Sequence, residues 1–153
     1  MKLPAVRTCC AALAGILMLF STTALAVVTV NAPWVRPTTE RTATEAYLRL
    51  TSSEDATLKE ARSAIATSVV IRAAGSNSRT LPQLALPAGV PVVLAPEGVR
   101  LVLRGLAHPL AVGERVPLVL TIEAADGSRR EISATAEVRV RAPAEDERRA
   151  RPR

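Results

Sequence analysis

The amino-acid sequence predicts an all-β domain, an antiparallel sandwich or Greek-key barrel. Short apolar runs rich in β-branched residues recur between turns that contain Pro or Gly, as is typical of these folds. Asp126-Gly127 separates two such runs, and Asp-Gly between apolar segments is a strong hairpin signal. Residues 133–141 then alternate strictly between small or apolar and polar side chains, which indicates a strand with one buried face.

Seven strands are predicted in chain order. They span residues 27–30, 45–50, 68–72, 91–94, 99–104, 116–123 and 131–140. On the fifth strand, alternation directs Val99, Leu101 and Leu103 inward. The same alternation directs Arg100, Val102 and Arg104 outward. On the seventh strand, the predicted inward positions are Ala134, Ala136, Val138 and Val140.

One segment carries a competing signal. Residues 56–66 place Leu58, Ala61 and Ala64 near helical spacing, which by itself indicates a short helix. The chain shows no internal repeat, and its length beyond the N-terminal segment suits one domain with one core.

The N-terminal segment has the pattern of a signal peptide. Lys2 and Arg7 precede an apolar run over residues 9–20, and Ala24-Leu25-Ala26 then forms a small-x-small cleavage site. We therefore expect residues 1–26 to be removed, leaving a domain over 27–141 and a disordered polar tail over 142–153. The apolar run is shorter than a membrane span and no second candidate follows it, so no membrane segment is expected after cleavage.

Both cysteines lie within the predicted signal. Cys9 and Cys10 precede the apolar core instead of following it, which does not fit a lipoprotein cysteine. Once they leave with the signal, the exported chain has no thiol and no disulfide. Cleavage also lowers the formal net charge from +6 to +4, because residues 1–26 carry two basic and no acidic side chains.

The composition excludes two broad classes of function. A nucleic-acid-binding protein usually has clustered basic stripes and stacking aromatics, whereas the exported chain has only Trp34 and Tyr47 as aromatics. An enzyme is not expected either, because the sequence marks no triad, no carboxylate pair and no phosphate-binding loop. A binding protein remains the best prediction.

Several motifs follow one another along the chain. They are Asn31-Ala32-Pro33-Trp34-Val35-Arg36-Pro37-Thr38, Ala46-Tyr47-Leu48, Leu86-Pro87-Ala88-Gly89, Val99-Arg100-Leu101-Val102-Leu103-Arg104-Gly105-Leu106, and Pro109-Leu110 with Gly113. In this order the motifs resemble the periplasmic copper chaperones of the PCu(A)C type. The resemblance covers about residues 29–140 and implies a cupredoxin-like β-sandwich, with strand and loop over residues 56–66. It also implies a surface site that binds one cuprous ion for delivery to cytochrome oxidase or other periplasmic acceptors, and a packing role for Trp34.

The resemblance also says where the copper ligands would lie. Family members use a His at the end of a mid-chain strand, a Met in the loop that follows, and His-x-Met on a later strand. Arg72 stands at the first His and Ser78 at the first Met, in a shortened loop. Arg100 stands at the second His and Val102 at the second Met. Arg104 occupies the position of a frequent further Met.

These replacements do not suit a cuprous ion, which prefers thioether, thiolate or imidazole ligands. An arginine carries a permanent positive charge and offers no lone pair. The sequence therefore predicts a degenerate copper site and no cofactor. The arginines at Arg72, Arg100 and Arg104 either bind an anion or an acidic periplasmic protein, or form an ordinary solvated face.

The single histidine supports an alternative. His108 is either a lone metal ligand or proton acceptor, or an exposed loop histidine beside Pro109. A copper chaperone could retain weak copper binding through His108, the N-terminal amine of Val27 and acidic residues. In both hypotheses the protein is periplasmic or secreted.

Overall fold

Ten β-strands make up the part of the chain that the computed structural model describes, residues 26–143. Their bounds are β1 Val28–Val35, β2 Ala43–Ser52, β3 Ala56–Arg62, β4 Ala66–Arg72, β5 Thr80–Leu81, β6 Leu84–Leu86, β7 Val92–Leu94, β8 Arg100–Leu106, β9 Arg115–Ala124 and β10 Arg129–Val138. The predicted signal peptide, apart from Ala26, and the predicted tail beyond Pro143 lie outside the described residues.

The strands form one nearly closed, barrel-like sheet in the order β5-β4-β8-β2-β1-β10-β9-β3-β6, and β7 pairs with β2. Neighbouring strands are antiparallel except β1 and β10, which run parallel with Trp34 opposite Glu137. A parallel pair needs a long connection, and β1 and β10 are joined by the rest of the domain. The predicted all-β, cupredoxin-like fold is confirmed, with this one parallel pair added.

The seven predicted strands all overlap strands of the structure, and β3 agrees with the strand and loop that the resemblance implied for residues 56–66. β5 and β6 were not predicted. The helix signal over residues 56–66 is wrong, because residues 56–62 form β3 between β9 and β6. A register shift lies between Leu58 and Glu60, so buried Leu58 and Ala61 are three residues apart instead of two. This irregularity imitates helical spacing in a strand.

The core consists of aliphatic side chains from most of the strands, and their alternation is clearest along β8 and β9. Leu101 and Leu103 of β8 and Leu118 of β9 are fully buried, as the inward positions of their strands require. Val140 is the exception to the predicted inward set, since it is 67% exposed. β10 ends at Val138, and beyond that residue no strand covers the side chain.

The β9–β10 connection confirms the predicted hairpin. Gly127 has a φ of 83°, and its amide donates to the Ala124 carbonyl at 2.9 Å. The amide of Ser128 donates to Asp126 Oδ1 at 2.8 Å, so the aspartate side chain satisfies a backbone group of the turn. The Asp-Gly pair thus supplies both the side-chain acceptor and the left-handed residue that a short turn needs.

Candidate functional site

The outward side chains of β4 and β8 form one continuous surface, which we call the β4–β8 face. It consists of Ser68, Val70, Arg72, Arg100, Val102 and Arg104. The two strands are antiparallel, and their register places each β4 side chain directly opposite one on β8. The pairs are Arg72 with Arg100, Val70 with Val102, and Ser68 with Arg104. The face therefore has two arginines at one end, two valines at the centre and one arginine at the other end.

The loop after β4 closes over the end that carries two arginines. Arg72 Nη1 donates to the Ser78 carbonyl at 2.9 Å, and Arg100 Nη2 donates to Ser78 Oγ at 3.2 Å. The amide of Ala73 donates to the Arg79 carbonyl at 2.9 Å and joins the two ends of the loop. Three of the mapped copper-ligand positions, Arg72, Ser78 and Arg100, thus lie in direct contact.

Arg104 lies apart from this group. It is four residues further along β8 than Arg100, which corresponds to about 13 Å of strand. Its direct neighbours are Ser68 on β4 and Ala43 on β2. Its side chain is exposed and makes no hydrogen bond or ion pair with any part of the chain that the structure describes. The three arginines therefore do not form a single cluster.

Glu45 of β2 is a member of the site that the sequence analysis did not find. It lies opposite Val102 on β8, and its Oε1 is 2.8 Å from Arg100 Nε. The direction of the N–H bond is poor for a hydrogen bond, so the contact is a close ion pair. The Arg100 and Glu45 side chains are only 16% and 29% exposed. The sequence does show an acidic residue at the start of the predicted strand 45–50. Its contact with Arg100 could be predicted only with the knowledge that this strand lies beside β8.

Arg100 is also held by main-chain acceptors. Its Nη1 donates to the Gly98 carbonyl at 3.3 Å and, more weakly, to the Ala73 carbonyl at 3.5 Å. With Glu45 and Ser78, these contacts surround the guanidinium. Arg72 is less satisfied, because its Nε is buried and has no hydrogen-bond partner among the described residues.

A buried aromatic pair lies beside the Glu45 carboxylate. The Tyr47 hydroxyl donates to Glu45 Oε2, and burial, followed by this carboxylate, raises the pKa of Tyr47 above its ordinary value. Trp34 packs on Tyr47 with ring centroids 4.5 Å apart. Arg36 covers the Tyr47 ring at 5.9 Å and lies 3.7 Å from Glu45 Oε2. At 5% exposure, Trp34 has the packing position that its motif suggested.

The residues at the mapped positions do not fit a cuprous ion. Arg72 and Arg100 cannot donate a lone pair, and Val102 is inert. Ser78 offers only a hard, weak oxygen, which already accepts from Arg100. Within residues 26–143, no group of three or more His, Cys, Asp or Glu side chains is arranged to hold a metal ion.

His108 and Val27 lie too far apart to share an ion within one molecule. The amide of Val27, just before β1, donates to Ser53 Oγ at 2.9 Å. His108 precedes Leu110, which bridges to Thr38 beyond the other end of β1. The eight-residue strand between these points is on the order of 25 Å long. This separation argues against a site that both groups share within one chain, and weak copper binding through non-family ligands stays a prediction.

His108 by itself is an exposed loop residue. Its side chain is 53% exposed, and Nδ1 lies 2.7 Å from the Pro109 carbonyl oxygen. The nearest carboxylate oxygen, Glu114 Oε2, is 3.8 Å from Nδ1. One imidazole and one distant carboxylate do not make a tight metal site.

The fold is that of a cupredoxin-like domain of the PCuAC copper-chaperone type. A family model described as "Putative lipoprotein LpqE-like" matches residues 28–141. The chain belongs to this LpqE-like family, which is copper-chaperone-like. A search of curated proteins found no match.

Solved structures of PCuAC domains are similar to the chain. The solution structure of Cu(I)-DR1885 from Deinococcus radiodurans is 30% identical, with a TM-score of 0.52, and the match covers 75% of this chain and 76% of that one. The copper-bound PCuAC domain from PmoF2 is 22% identical, with a TM-score of 0.58 and coverage of 73% and 93%. The apo PCuAC domain from PmoF1 is 19% identical, with a TM-score of 0.58 and coverage of 73% and 94%. The latter two likenesses concern the fold alone.

Among residues 26–143, the structure contains no helix of the length and apolar character needed to cross a bilayer.

Proposed function

We propose that the protein is an exported, non-enzymatic relative of the copper chaperones whose cuprous site is degenerate. The β4–β8 face, which includes the mapped ligand positions, then serves to bind a protein or an anion. The observation that carries the proposal is the contact of Arg72 and Arg100 with Ser78, at three positions where the resemblance requires His, His and Met.

The physical chemistry of this contact supports loss of copper binding. A cuprous ion at this point would meet two fixed positive charges and no soft donor. It would also have to displace the ion pair between Arg100 and Glu45 and the hydrogen bonds that hold Ser78. These contacts therefore occupy the space that the ion would need, and the groups that make them are poor copper ligands.

Family membership supports an exported protein, and the predicted signal peptide supports a periplasmic or secreted one. The term "lipoprotein" in the name of the family does not fit the position of Cys9 and Cys10, which precede the apolar core of the signal. We infer cleavage without lipid attachment, and release of the domain from the membrane. The lack of a triad or carboxylate pair in the sequence supports a non-enzymatic role.

Copper competition tests the proposal. The exported protein and a quadruple variant, Arg72→His, Ser78→Met, Arg100→His and Val102→Met, are titrated against a cuprous chelator under reducing conditions. We expect the parent to leave all copper on the chelator, and the variant to remove some of it. The shortened loop around Ser78 is expected to keep the variant weaker than a natural chaperone, because ligands must be placed closely. Stoichiometric copper on the parent that resists the chelator would refute the proposal.

A further inference from the structure

The β4–β8 face has an excess of positive charge that the described part of the protein does not neutralise. Arg72, Arg100 and Arg104 lie on the face, and Glu45 is the carboxylate that contacts it. This carboxylate pairs with Arg100, at 2.8 Å. Arg104 has no partner among the described residues, and Arg72 uses Nη1 for a neutral carbonyl. Arg104 is exposed and Arg72 is partly buried, and an accessible guanidinium suits a carboxylate.

The shape of the face decides between a small anion and a larger partner. Five cavities formed by described residues lie elsewhere on the molecule, and no residue of the β4–β8 face lines any of these five. Arg100, the arginine best placed to form a cradle, is already surrounded by Glu45, Ser78 and two carbonyls. At Arg104, which is exposed, a small anion would stay in contact with water, and an exposed ion contact is weak.

The face suits an extended surface instead. Two partly buried valines, Val70 and Val102, lie directly opposite each other between the Arg72 end and Arg104. The cationic ends are about 13 Å apart along β8. A partner with carboxylates at this separation, flanking a small apolar contact, would match both the charges and the apolar centre.

Resting on the proposed function, we propose that the β4–β8 face docks an acidic protein segment, with carboxylates at Arg104 and Arg72 and apolar side chains over Val70 and Val102. Arg100 does not contact the partner. It pairs with Glu45 and holds the Ser78 loop beside Arg72, which lies at one end of the face. The former ligand positions thus divide into residues that hold the structure and residues that bind.

A designed peptide tests the proposal. The probe carries two pairs of glutamates about 13 Å apart in an extended chain, with apolar residues between them. A second peptide of the same composition has all its glutamates adjacent. We expect the parent protein to bind the spaced peptide more tightly than the peptide with adjacent glutamates. Its affinity for the spaced peptide should fall as the salt concentration rises. Arg104→Glu should weaken binding about tenfold, since it replaces an attraction with a repulsion.

The matched control is Arg115→Glu on β9. Arg115 is also exposed, lacks a partner among the described residues and carries the same charge. It is expected to change the affinity by less than about twofold. Equal weakening by the two variants, or equal affinity for the two peptides, would overturn the proposal by showing that only net charge matters.

Two further binding measurements test whether the face takes a different kind of ligand. Saturable binding of inorganic phosphate that depends on Arg104 would overturn the proposal in favour of a small-anion site. Binding to phosphatidylglycerol vesicles that depends on Arg104 would overturn it in favour of a membrane surface. Copper competition on the same preparation reports separately on the proposed function, so the two can fail independently.

Discussion

Arg72 and Arg100 are direct register partners on neighbouring strands, although both side chains are positively charged. Their proximity is tolerated because each guanidinium meets an acceptor. The carbonyl and hydroxyl of Ser78 accept from one each, and the Glu45 carboxylate lies against Arg100. The residues at the mapped copper-ligand positions are therefore held together by hydrogen bonds and an ion pair within the protein.

Removing Arg100 should destabilise the protein. Arg100→Met keeps the aliphatic stem but leaves Glu45 without its closest cationic partner and Ser78 Oγ without a donor. We expect the free energy of unfolding to fall by about 1–3 kcal/mol, measured by urea denaturation. Arg104→Met is the control, since Arg104 has no partner among the described residues, and it should stay within about 0.5 kcal/mol of the parent. Equal losses in the two variants would contradict the structural role of Arg100.

Tyr47 should make stability depend on pH at the alkaline end. Burial and the Glu45 carboxylate raise the pKa of its hydroxyl in the folded protein. The unfolded chain therefore loses this proton first, at about pH 10, while the folded protein keeps it. The stabilisation is complete below that pH and is lost as pH rises further, by up to about 1.4 kcal/mol per pH unit.

Tyr47 is also the only tyrosine, so tyrosinate absorbance reports on it alone. We expect no absorbance change through pH 10 in the folded protein, and an ordinary titration in urea. Tyr47→Phe should reduce the alkaline fall in stability. A hydroxyl that titrates near its ordinary pKa in the folded protein would disprove its burial against Glu45.

Gly105 should be more sensitive to substitution than another left-handed glycine. Its φ is 63°, and an added Cβ would lie 2.5 Å from Thr67 Oγ1 and 2.9 Å from Thr67 Cβ. Gly75 has a φ of 95°, but an added Cβ there would meet nothing within 4 Å. Both alanine variants should lose about 1–2 kcal/mol for the backbone, and Gly105→Ala should lose at least about 1 kcal/mol more for the clash. Similar melting temperatures for the two would show that Thr67 moves aside freely.

Export should produce a new N-terminus at Val27. Ala24-Leu25-Ala26 ends the apolar run in the pattern that signal peptidase cleaves. N-terminal sequencing of exported protein is expected to begin at Val27. An intact Met1 in the membrane fraction would identify the segment as an anchor instead.

The strands that were predicted share a local signal. β9 and β10 show an Asp-Gly turn and an alternating pattern, and both features depend only on neighbouring residues. β3 was expected only from the family resemblance, because a register shift gives its buried residues a spacing close to that of a helix. β5 and β6 have two and three residues, too few for a period to be recognised.

For the candidate site, the order of the motifs was enough to locate the mapped positions, and the residue types there were enough to show that they are poor copper ligands. The roles of these residues could not be predicted from the sequence. Glu45 and Arg100 are far apart in sequence, and only the pairing of β2 with β8 brings their charges together. Likewise, the separation of Arg104 from Arg72 depends on the antiparallel register of β4 and β8.

The sequence by itself thus determined the class of fold, the hairpin and the absence of soft ligands at the mapped positions, because side-chain identity and local periodicity are properties of adjacent residues. The tertiary structure decided which arginine is neutralised and which is left exposed. That distinction depends on distances between strands remote in sequence, since an ion pair forms only where the folded backbone holds its two charges within a few ångströms.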